Sequence, residues 1–198
     1  VGRSGLEVSR LGLGTMTWGR DTDADEAAAQ LEAFVGAGGT LIDTANIYGD
    51  GDAESILGTL IPDVVPRSSV VLATTTVGVS GRGRLLTALD ASLRRLGTDT
   101  VDLWLVHGFD AAVPFEETCS ALQAAVDSGR AAYAGVSGHT GWQLATEAAH
   151  LRATGVPLVA VEAAHSLVAR GPEDSILPAA ATFSMGLLAW APLGRGVL

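Results

Sequence analysis

The chain contains no lysine. All 12 of its basic residues are arginine, and against 22 aspartates and glutamates they leave a net charge of −10. A surface this acidic is repelled by phosphate backbones and anionic headgroups, which argues against nucleic acid or a charged membrane as the main partner. The single cysteine, Cys119, excludes an internal disulfide, and in its apolar stretch it is expected to be a small buried hydrophobe. No apolar run reaches the roughly 18 residues of a membrane span. The opening Val1-Gly2-Arg3-Ser4-Gly5 is no secretory signal, so a cytoplasmic protein is expected, with its natural start upstream of Val1. There is no metal-ligand spacing of His, Cys and acids, no phosphate-binding Walker loop, no nucleophile elbow, and no repeat or low-complexity linker. The exclusive use of arginine, with abundant Ala, Gly and Val, resembles a high-GC coding bias of the actinobacterial kind.

What is present is a core-former. Hydrophobic residues make up 47% of the 198, a length and composition that suit one globular domain. Short, β-branched apolar runs bounded by turns predict strands over 11–13, 40–43, 70–74, 101–107, 131–137, 158–162 and 186–190. Amphipathic stretches between them predict helices over 23–37, 53–60, 84–96, 115–128, 142–153 and 174–183. The first opens on Asp23, Asp25 and Glu26, acids that suit a helix N-terminus. The third carries Leu85, Leu86, Leu89, Leu93 and Leu96 on one face. Regular alternation of strand and helix implies a parallel sheet with covering helices.

Asp43-Thr44-Ala45-Asn46-Ile47-Tyr48-Gly49 follows one predicted strand, and Leu103 to Asp110, containing His107, ends another. These segments resemble the aldo-keto reductases, whose site draws Asp, Tyr, Lys and His from the ends of successive barrel strands. The resemblance implies an α/β fold, a (β/α)₈ barrel of which about seven strand units are countable here. Eight units take typically about 250 residues. A single barrel domain over 1–198 is therefore expected, with the family's C-terminal third outside it. This could arise from removed segments, truncation or a minimal barrel, expected in that order. The segment 3–8 resembles the hairpin that closes the barrel floor.

By the same resemblance, Tyr48 would protonate a carbonyl oxygen, Asp43 would support it, and His107 would orient the substrate. Trp18 would wall the substrate pocket beside Tyr48 and His107. Thr15 and Met16, in the first strand-end loop, would touch the cofactor NADP(H). Ser137 would hold its carboxamide together with Glu162, and Asp43 borders the same place. Trp190 would stack on the nicotinamide, with Ala191, Pro192, Leu193, Gly194 and Arg195 wrapping the pyrophosphate.

Four positions depart from the family pattern. Thr75 stands at the lysine position, Gly138 where Asn follows the Gly-Val-Ser turn, Glu162 where Gln is usual, and His165 where an aromatic is common. A coding bias would convert Lys to Arg, not to Thr. A phenol of pKa roughly 10 needs tuning to act near neutrality. Loss of its cationic neighbour would cost about 100- to 1000-fold in rate, and Asp43 would be left protonated or bound to water. Two functions follow as expectations. One is an NADP(H)-dependent oxidoreductase of a carbonyl or alcohol with an altered site. The other is a barrel of non-redox role, either a cofactor-binding protein or an enzyme using His107, Glu162 or His165 as acid–base groups. The partner is expected to be a small molecule, and the protein a monomer or weak homodimer.

Overall fold

A computed structural model describes all residues 1–198. Seven strands form one sheet: β1 (Gly12–Gly14), β2 (Leu41–Ala45), β3 (Val71–Thr76), β4 (Val101–His107), β5 (Ala131–Ser137), β6 (Leu158–Ala164) and β7 (Gly186–Trp190). Their spatial order is their sequence order, and every neighbouring pair is parallel. Six helices connect them: α1 (Ala24–Gly36), α2 (Asp52–Val64), α3 (Arg82–Leu96), α4 (Phe115–Asp127), α5 (Gly141–Ala153) and α6 (Pro172–Phe183). An order without reversal curls the sheet into a barrel wall, where a doubly wound sheet would have a switch point. The architecture is that of a (β/α)₈ barrel, of which this chain supplies seven strands. No helix is long and apolar enough to cross a membrane.

Alternation along each strand separates two cores. Outward residues such as Ile42, Leu72, Trp104, Val106, Val136 and Val161 join the helices in one large cluster. Inward residues Leu41, Ala73, Leu103, Leu105 and Ala160 form a smaller one, closed below by Leu6. On α3, Leu85, Leu89, Leu93 and Leu96 are all buried. Each such leucine contributes about 2 kcal/mol of apolar burial.

Helix starts and stops are local. Asp23 accepts from the Glu26 N–H at the start of α1. Thr140 and Gln143 form a reciprocal capping box on α5. Gly97 ends α3 at φ +63°.

Three expectations need correction. The segment 3–8 is not a hairpin. It is irregular chain tied by Ser4, whose hydroxyl donates to the Val1 carbonyl at 2.6 Å, and the floor is plugged by one buried residue, Leu6. Helix α2 continues to Val64 through Pro62, because buried Ile61 and Val65 hold the last turn despite the missing N–H. Strand β3 extends to Thr76, whose hydroxyl accepts from the Trp104 indole at 2.9 Å.

Candidate active site

Two residues beyond each member of the inner core, the strands present a polar layer at their C-terminal ends. Asp43 follows Leu41, Thr75 follows Ala73, His107 follows Leu105, and Glu162 follows Ala160. Ser137 of β5 stands level with Glu162, and Trp190 of β7 lies one inward position further along, beside Ala164. Period-2 alternation points all six inward. The register places His107 opposite Ser137, and Ser137 opposite Glu162.

His107 Nδ1 lies 3.0 Å from Ser137 Oγ. Burial, then the neighbouring His139, holds the His107 pKa below its ordinary value, so the imidazole is neutral at pH 7. Gly138 has φ +68°, and a Cβ there would lie 2.9 Å from the His107 ring. Gly138 therefore leaves open the space that the His107 ring occupies.

Asp43 is half-buried as a residue, but its Oδ1 is enclosed and has no hydrogen-bond partner. Burial, then the charge of Glu162, pushes its carboxyl well above the carboxylate range. Glu162 is raised too, by burial, with Ser137 pulling it partly back. Tyr48 opens a tight turn, Tyr48–Gly51. Its phenol is pushed up by burial, then by Asp43, then by Glu162. No cation opposes any of these shifts. Thr75 is 5% exposed, and its Oγ1 is also unpartnered.

Several expected site residues lie elsewhere. Trp18 does not wall a pocket: it is 0% exposed, and its indole donates to Gln30 at 3.0 Å. The reason is packing into the large outer core against α1, which carries Gln30. Thr15 is also fully buried, its hydroxyl donating to the Asp43 backbone carbonyl at 3.1 Å, so it supports β2 and presents nothing to a ligand. Met16, in the same loop, is exposed. His165 is engaged away from the polar layer, with Nε2 3.0 Å from Glu173 on α6. His150 is half-buried, edge-on against Phe115. Cys119 is buried as expected, and burial pushes its thiol up to about 12.

The loop after β7 is accessible. Trp190 is 37% exposed, and the Arg195 guanidinium lies 5.6 Å from its ring centroid. Ala191 and Arg195 both take left-handed backbone, at φ +50° and +57°. One positioning residue escaped sequence reasoning. Asn46 accepts from the Val77 N–H at 2.8 Å and donates to its carbonyl at 3.2 Å, fixing the chain just past Thr75. An Asn in a strand-end loop was the available signal.

The pattern of the Aldo/keto reductase family matches residues 10–198. The chain belongs to the aldo/keto reductase family. It is 36% identical over 219 residues to the uncharacterized oxidoreductase YrpG of Bacillus subtilis, covering 100% of the chain and 67% of that protein. It is 36% identical over 211 residues to a probable voltage-gated potassium channel subunit beta of Oryza sativa, covering 100% and 64%. Aldo-keto reductase YhdN of Bacillus subtilis is 35% identical over 212 residues, covering 100% and 62%. This family member thus spans about two thirds of the length of the curated relatives it matches.

Proposed function

We propose that this aldo/keto reductase is an NADP(H)-dependent oxidoreductase of a carbonyl or alcohol substrate whose catalytic set has lost its cation at Thr75. The observation that carries the reading is convergence. Asp43, Thr75, His107, Ser137, Glu162 and Trp190 come from six strands to one end of the barrel wall, where barrel active sites lie.

The residues present fit a nicotinamide cofactor. Trp190 offers an exposed aromatic face. Ser137 and Glu162 offer a hydroxyl and a carboxyl for a carboxamide, and a protonated Glu162 can donate as well as accept. The loop Ala191, Pro192, Leu193 and Gly194, with Arg195, would take the phosphates. When bound, the cofactor supplies the hydride for a carbonyl carbon. Tyr48 then holds the proton destined for the carbonyl oxygen, and His107, neutral and fixed by Ser137, orients that oxygen. With Tyr48 raised by its surroundings and no cation to favour the phenolate, proton transfer is slow. The deficit is about 100- to 1000-fold against a complete set. NADPH over NADH follows the family resemblance. We read the protein as cytoplasmic, a monomer or weak homodimer, with a small-molecule partner.

A second reading rests on one observation: the register sets His107, Ser137 and Glu162 side by side on β4, β5 and β6, an acid–base row that does not include Tyr48. It makes the protein a non-redox member that uses His107 and Glu162 as acid–base groups. Titration with NADPH, following tryptophan fluorescence, separates the two. Saturable micromolar quenching that disappears in Trp190→Phe supports the redox reading. No quenching in folded protein would sink it and favour the second.

A further inference from the structure

Five buried side-chain atoms of this chain lack a hydrogen bond: Asp43 Oδ1, Thr44 Oγ1, Thr75 Oγ1, His139 Nε2 and Glu147 Oε2. His139 Nε2 and Glu147 Oε2 face each other at 3.3 Å, so each has the other. Thr44 lies on the outer face of β2, between the inward residues Asp43 and Ala45. Asp43 Oδ1 and Thr75 Oγ1 are different. Both belong to the inward polar layer, on the adjacent strands β2 and β3, and both are enclosed and unpartnered. A second carboxylate, Glu162, is near enough to raise Asp43 electrostatically, and the Tyr48 phenol responds to both acids. Leaving a buried acceptor unmade costs about 1–3 kcal/mol, more when it is charged. Two such acceptors in one layer, beside a second acid, are poorly explained as packing.

Both atoms call for a donor, and the acids for a positive one. An ionised carboxylate only accepts, and a threonine hydroxyl can accept while its proton turns elsewhere. Lysine is missing from the whole sequence. Arg195 is turned onto Trp190, and Arg95 is on the other side of β3 with Glu54. No group of three or more His, Cys, Asp and Glu side chains is arranged as a metal cage, so a divalent ion finds too few charged ligands. A compact monovalent donor does fit. A primary ammonium has N–H groups for both the Asp43 carboxylate and the Thr75 oxygen.

We propose that Asp43 and Thr75 form a binding site for a compact monovalent cation, in the first place the primary ammonium of a small amine-bearing ligand. The site is independent of the redox reading, since it can fill whether or not a nicotinamide binds. Its occupation neutralises the Asp43 charge that raises Tyr48 and brings a positive charge beside the phenol. An amine-bearing substrate would in this way carry its own cation into the catalytic set.

Thermal melting of the purified protein near neutral pH tests this at constant ionic strength, with methylammonium, potassium or tetramethylammonium chloride. The expected result is a saturable rise in Tm of about 3–6 °C with methylammonium, not reproduced by tetramethylammonium, which has no N–H and is too large. The rise is expected to vanish in Asp43→Asn. Thr75→Lys, which tethers an ammonium in the site, is expected to melt higher without added amine and to lose the response. It keeps the test open if Asp43→Asn fails to fold. A saturable response to potassium, lost in the same variants, supports the site and names an inorganic ion as its occupant. Equal effects of all three salts, or a methylammonium response that survives in Thr75→Lys, overturns the proposal. NADPH quenching of Trp190 is read separately, so either idea can fail alone.

Discussion

Thr74 and Thr75 are neighbours on one strand and face opposite sides of it, and the two sides treat buried charge in opposite ways. On the outer side, Glu54 is 0% exposed. Every need of its carboxylate is met from within the chain: Thr74 donates to Oε1 at 2.6 Å, and Arg95 bonds Oε2 through Nε at 2.8 Å. On the inner side, Asp43 has an enclosed oxygen with no partner, Thr75 has no partner, and the nearest charge is another acid. The outer arrangement is a finished ion pair that clamps α2 and α3 to β3. The inner one is incomplete, and it lies at the end of the barrel wall where ligands bind. Buried polarity that the chain satisfies itself is structure. Buried polarity left open, in a layer that also holds His107, Tyr48 and Trp190, points to what is to be bound.

The contrast can be broken first on its outer side. Arg95→Met leaves Glu54 with an uncompensated charge and is expected to cost about 3–5 kcal/mol, read as a fall in the urea midpoint at unchanged slope. Removing the inner acid is expected to do the reverse.

Supplying a cation at Thr75 is the next largest effect. Thr75→Lys is expected to raise carbonyl reduction with NADPH by about 100- to 1000-fold, measured as kcat/KM on a generic aldehyde. No gain in a folded variant that binds NADPH would favour the non-redox reading.

Asp43→Asn sharpens the comparison through pH. The folded carboxyl of Asp43 is raised, and so is that of Glu162. An acid raised in the folded state binds its proton more tightly there than in the unfolded chain. Its contribution to stability is full below the unfolded pKa, about 4, and is lost as pH rises through the folded pKa. The wild-type Tm is expected to fall over that window, and Asp43→Asn to flatten the fall, in a series of melts from pH 4 upward.

The smallest expected effect concerns Gly138. Asn tolerates its left-handed backbone, but a Cβ there meets the His107 ring. Gly138→Asn is expected to cost about 1 kcal/mol and to push the imidazole off Ser137. The His107 pKa, followed by NMR, would then rise toward its ordinary value.

Much of this architecture is legible in the sequence. The strands 101–107, 131–137 and 186–190 have the boundaries the sequence predicts, because β-branched runs between turns leave little choice. Strand ends set the height of Asp43, His107 and Glu162, and alternation sets their side. What escaped needed contacts distant in sequence. The burial of Trp18 depends on the large core and on Gln30 of α1. The role of Gly138 depends on a ring from the preceding strand. The absence of lysine is plain in the sequence, but the open Oδ1 of Asp43 belongs to the folded layer alone.

The most direct test of that layer is the ionisation of Asp43 itself, followed by carbon-13 NMR of the carboxyl with Asp43→Asn to assign the signal. The account predicts titration well above the ordinary carboxylate value of about 4, and a drop to that value or below in Thr75→Lys. Titration of wild-type Asp43 at about 4 or lower would mean that the inner acid already has the partner we say it lacks.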